Sequence, residues 1–124
     1  MKYFFTCIIV LLFTCICTEL RAEEFVAKSA VYEIKGEKIE LSDLSSMPKF
    51  QVYHHPKEGI VEIQSSAGRL ILKQGIFCYG YSGVHKGMRI SARAYLENGK
   101  LTHIVYEEFD EYNKAKATIN YYAK

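Results

Sequence analysis

The chain has 124 residues, of which 49% are hydrophobic and 14% aromatic, and 16 basic residues stand against 14 acidic ones. That length holds one ordinary domain, and a near-neutral balance excludes the strongly basic footprint of a dedicated nucleic-acid binder. Three of the four cysteines (Cys7, Cys15 and Cys17) lie within the first 17 residues, so the remainder has no internal disulfide framework and must be held by its own core.

In chain order, Lys2 is followed by an uncharged run of 16 residues from Tyr3 to Thr18, which ends before Glu19 and Arg21. A cationic start, an apolar stretch shorter than the roughly 20 residues of a membrane span, and small Ala22 at the exit predict a removable signal over residues 1–22. The expected product is a secreted or periplasmic domain, residues 23–124, with no stable membrane anchor. Without Lys2, Arg21 and Glu19 it carries 14 basic and 13 acidic residues. The charge is uneven, since residues 49–100 hold eight basic residues and three acids.

Period-two alternation dominates this domain and predicts an all-β fold, a small antiparallel meander of about 7 to 9 strands forming a barrel or sandwich. Residues 30–35 and 38–41 flank Gly36-Glu37, which suits a tight hairpin turn. Residues 42–48 read as a loop or a short helical turn. Strands are expected at 50–54, 60–64, 69–73 and 76–81.

The firmest element is the hairpin 88–109, turned at Asn98-Gly99, a pair that readily takes positive φ. In the simplest register Leu96 faces Leu101, Ala94 faces His103, Ala92 faces Val105 and Ile90 faces Glu107. Residues 110–124 admit a helix capped by Asp110, but Ala115, Ala117, Ile119, Tyr121 and Ala123 alternate with polar neighbours, and a strand is the expectation.

No catalytic pattern emerges. His54 and His55 are adjacent, so a strand sends them to opposite faces, and the spacing of the four histidines matches no zinc pattern. Cys78 sits between Phe77 and Tyr79 and reads as a buried small hydrophobe. Glu107, Glu108, Asp110 and Glu111 lie at a strand end and its turn, without the ligand spacing of a calcium loop. No metal, catalytic residue or cofactor is expected.

The best candidate is the stretch from Tyr79 to Gly87, read as an exposed loop. Tyr79 and Tyr81 would supply amphipathic contact area, and Ser82, His85 and Lys86 polar grip. The leading expectation is therefore a non-catalytic binding domain acting on a protein partner. The alternatives are a small barrel carrying an apolar ligand against Ala92, Ala94, Leu101 and Val105, and a hydrolase using an inward His103 and Glu107 pair.

Residues 70–76 (LILKQGI) and the Tyr/Gly/Ser stretch after them resemble the periplasmic inhibitors of lysozyme, small β-barrels that plug that enzyme's cleft with a loop. The likeness spans about fifteen residues and implies an inhibitor-like role. The cysteine pair that ties such a barrel's ends is missing, and Ser82-Gly83-Val84-His85 departs from the inhibitors' loop pattern.

Overall fold

A computed structural model describes residues 22–66, 68–85 and 87–124. The expected signal, residues 1–22, lies outside the described residues apart from Ala22, as does Lys86. Nine antiparallel strands follow in chain order: β1 (Glu23–Ile34), β2 (Glu37–Glu40), β3 (Phe50–His55), β4 (Ile60–Ser65), β5 (Gly68–Gln74), β6 (Tyr79–His85), β7 (Met88–Glu97), β8 (Lys100–Phe109) and β9 (Ala115–Ala123). Each pairs with its neighbours, and β9 returns to β1, so eight strands close into a barrel. Closure pairs β9 with β1, so neither of those two strands is left as an open sheet edge along the paired residues. β2 stands outside and pairs only with the distal half of β1.

Period two sorts the side chains. Phe25, Ala30, Phe50, Val52, Val61, Ile63, Leu72, Ala92, Ala94, Leu101, Ile104, Ile119 and Tyr121 form one buried cluster inside the barrel. Ala92 and Ala94 leave room for larger neighbours, and Phe50 stacks on Tyr121 across the lumen with centroids 3.8 Å apart.

Several expectations need correction. β1 begins at Glu23, because a bulge between Ala27 and Ser29 turns Lys28 outward and interrupts the alternation read from sequence. The first hairpin turns on Lys35-Gly36, both at positive φ, one residue earlier than expected. Residues 41–49 contain no helix. Asp43 accepts hydrogen bonds from the Ser45 backbone N–H and hydroxyl, Met47 N–H donates to the Leu44 carbonyl, and Leu41, Leu44 and Met47 pack over one end of the barrel. The strand expected over 76–81 begins only at Tyr79, after a bend in which Ile76 and Phe77 are 92% and 89% exposed.

The hairpin 88–109 keeps its Asn98-Gly99 turn and its Leu96–Leu101 pair, but a bulge then gives β8 one extra residue. Beyond it Tyr95 faces His103, Ala94 faces Ile104, Ala92 faces Tyr106 and Ile90 faces Glu108. A shift of one residue exchanges the two faces of everything that follows. Ile104 and Tyr106 thus enter the lumen, while His103, Val105 and Glu107 leave it. Burying Ile104 in place of a polar His103 is the favourable outcome, and the bulge adds twist that closure requires.

Candidate functional site

The two ends of the barrel differ. At the end holding the 55–60, 74–79 and 97–100 turns the lumen is filled, and Tyr79 is buried against His54, with 3.1 Å between its hydroxyl and Nε2. Burial, with His55 nearby, holds the His54 pKa below its ordinary value. At the opposite end the strands surround a cavity of about 300 Å³, roofed in part by Met47 and Pro48. Its wall is mainly apolar and aromatic, formed by Phe50, Ile63, Leu70, Ile90 and Ile119 together with Tyr32, Tyr106 and Tyr121.

One carboxylate, Glu108, enters this lining from β8, and the Tyr106 hydroxyl donates to it across 3.2 Å. Burial raises the pKa of all three tyrosines, that of Tyr121 to about 12, and the Glu108 charge adds to the effect at Tyr32 and Tyr106. Their phenols are therefore neutral donors at any physiological pH. Tyr32 turns its hydroxyl to Met47 Sδ at 3.8 Å, and Phe50 meets Tyr106 edge to face at 6.4 Å.

The wall is thinnest between β5 and β6. These strands pair only at Lys73–Gly80 and Gln74–Tyr79, leaving residues 68–72 and 81–85 without ladder partners across the seam. Gly68, Arg69, Leu70 and His85 border the cavity on this side. Arg69 is engaged elsewhere, 2.9 Å from Glu62 on the outer face.

The residues expected to form a binding loop are dispersed. Residues 79–85 are strand, not loop, because their alternation continues the β6–β7 ladder from Tyr79–Ala94 to His85–Met88. Tyr79 is buried, and Tyr81 is half-buried with its ring packed against the core. Ser82 is exposed on the outside, and His85 lies at the cavity rim. Of the residues expected to line a ligand cavity, Ala92, Ala94 and Leu101 are in the lumen but within its filled part, and Val105 is on the outer face.

The inward His103 and Glu107 pair does not form. His103 bonds Asn120 Oδ1 at 2.9 Å and stacks between Tyr95 and Tyr122, whereas Glu107 pairs with Arg93 at 2.7 Å. His54 and His55 diverge as expected, His55 lying 3.9 Å from Glu62. Cys78 is a partly buried free thiol just before β6. Among the described residues no three His, Cys, Asp or Glu side chains converge as a metal site.

Sequence reasoning missed Tyr32, Phe50, Tyr106, Glu108 and Tyr121 as a group. The signal that could have found Tyr106 and Glu108 is the polarity of the alternative register, which would have buried a histidine and left Ile104 in water. Compared with family models, with curated proteins and with solved structures, the chain finds no match in any of the three.

Proposed function

We propose that the chain is an exported, non-catalytic barrel that binds one small, largely apolar molecule in its open end. The observation that carries this reading is the cavity of about 300 Å³ at one end of the barrel, lined mainly by apolar and aromatic side chains. Small-molecule sites are concave, mostly apolar and provided with a few placed polar groups, and they occur in the mouths of β-barrels. Here Glu108 and the three tyrosines are those groups.

Native mass spectrometry of protein purified from its own host tests the reading. A reproducible extra mass is expected, and Ile90→Phe, which fills the cavity, should abolish it while circular dichroism stays unchanged. A barrel that is always empty, and that takes up no apolar compound offered to it, would sink the proposal.

A protein partner is the second reading. Its support is the nearly full exposure of Ile76 and Phe77 at the tip of the 74–79 connection, since large neighbouring apolar side chains in water often mark contact sites. Affinity capture from the secreted or periplasmic fraction should then lose its partner on Ile76→Ser with Phe77→Ser. Unchanged capture would discard the tip.

A further inference from the structure

The lining of the open end contains an imbalance that an apolar ligand alone would not relieve. Glu108 stands among Tyr32, Phe50, Tyr106, Ile119 and Tyr121. Its described side-chain partner is the hydroxyl of Tyr106, and none of the ion pairs among the described residues involves it. The adjacent acid on the outer face, Glu107, is by contrast matched by Arg93 and approached by the Thr118 hydroxyl at 3.5 Å. Glu108 is half-buried at the mouth, and a carboxylate accepts several hydrogen bonds, so it retains acceptor capacity toward a ligand beyond the Tyr106 hydroxyl. Of the two basic residues that border the cavity, Arg69 is engaged by Glu62 and His85 is an exposed rim residue.

Four aromatic rings line the same space. An aromatic ring presents a negative face, and a cation held against such faces in a site shielded from water gains more than it would in bulk solvent. A ring-lined mouth with one internal carboxylate and, among the described residues, no committed counter-charge is therefore matched to a positive ligand. It is mismatched to a fatty acid or another apolar anion, which Glu108 would repel.

We infer that the open end selects an organic cation, an alkyl- or arylammonium whose apolar body fills the cavity while its charged nitrogen sits against Glu108 and the rings of Tyr32, Tyr106 and Tyr121. This rests on the reading of the mouth as a ligand site and adds the chemical class of its ligand. An ammonium bearing N–H groups donates to the carboxylate directly, and a quaternary one relies on the rings and on the charge.

Three probes of one size separate this inference from the reading beneath it: benzyltrimethylammonium, its neutral isostere neopentylbenzene, and anionic 3-phenylpropionate. Each is titrated into the purified protein while the tyrosine ring resonances are followed by NMR. The cation should bind about tenfold or more tightly than the neutral isostere, a ratio in keeping with a shielded cation–aromatic contact. The anion should be weakest. Glu108→Gln, which keeps shape and hydrogen bonding but removes the charge, should shrink the preference for the cation several-fold, leaving the part that the rings supply. Tyr106→Phe keeps the ring and should retain the preference.

If the neutral isostere binds as well as the cation, or the anion binds best, the charge assignment is overturned and the cavity remains a ligand site. If no probe binds, both readings fall. Should Glu108→Gln fail to fold, the ratio measured on the unaltered protein still decides.

Discussion

Tyr81 and Gly83 share the inner row of β6, and the ring of one occupies the space that a side chain on the other would need. A Cβ at Gly83 would collide with the Tyr81 hydroxyl, while the glycine's backbone is not at positive φ, so the constraint is one of space and not of conformation. Gly83→Ala should cost about 1–3 kcal/mol through forced repacking, read from urea unfolding. Combined with Tyr81→Ala, the two losses should add to less than their sum, because each removes the other's conflict. A Gly83→Ala variant as stable as the parent would refute the contact. His54, at the filled end, makes a second prediction. Its pKa is lowered in the fold, so folding favours the neutral ring, and below the ordinary value of 6.5 the unfolded chain takes up the proton more readily. The contribution is complete above that pH and lost as pH falls through it. The melting temperature should drop between about pH 7 and pH 5, and His54→Phe should flatten the drop attributable to this residue. The sequence separates His54 from His55 correctly, since strand alternation is enough for that. It cannot show that Tyr79 is the partner of His54, because the two stand 25 positions apart in the chain and only barrel closure joins them.

β8 shows how far pattern alone carries an element. Its existence, its ends and its turn at Asn98-Gly99 follow from residue type, because few other dipeptides accept two positive φ angles in succession. Its facing does not follow, because a bulge leaves no mark in a string of alternating residues until the buried set is weighed. Leu101 and Ile104 are both in the core although three positions separate them, and that spacing is the trace of the extra residue. The same holds for β1, where Ala27 and Ala30 both contact the core across the bulged Lys28. Cysteine pairs distinguish the two registers of the 88–109 hairpin in a Cys78→Ser background. Arg93→Cys with Val105→Cys are directly opposed on the outer face and should form a disulfide under mild oxidation. Arg93→Cys with Ile104→Cys, opposed only in the unbulged register, would point to opposite faces and should remain reduced. The reverse pattern would remove Tyr106 and Glu108 from the lumen and the candidate site with them. The β9 strand needed no such arbitration: Ala117, Ile119 and Tyr121 face inward as their alternation requires, and Asp110 serves the preceding turn by accepting from the Tyr112 and Lys114 backbone N–H groups.

At the scale of the whole barrel, stability and access are set by where the ladder is complete. β7, β8, β9 and β1 are joined by long runs of paired residues, whereas β5 and β6 share two pairs. Local opening is governed by backbone bonds and buried contacts, so the slowest-exchanging amides should lie in β7 to β9 and the fastest strand amides on the facing edges of residues 68–72 and 81–85. That seam borders the cavity, and Leu70 and His85 belong to both. A ligand seated at Glu108 reaches solvent by the partly roofed end or by this seam, and the two routes leave different traces. Passage through the seam requires β5 and β6 to part and reclose around the bound molecule. Binding should then slow exchange along residues 68–72 and 81–85 more than in the 41–49 segment carrying Met47 and Pro48. Hydrogen exchange read by mass spectrometry, with and without saturating benzyltrimethylammonium, resolves the two segments. Protection confined to 41–49 would assign entry to the roofed end and leave the seam as a weak point of the wall. Protection along both seam edges would make the incomplete β5–β6 ladder the door of the site, a property of barrel closure that no single strand's pattern contains.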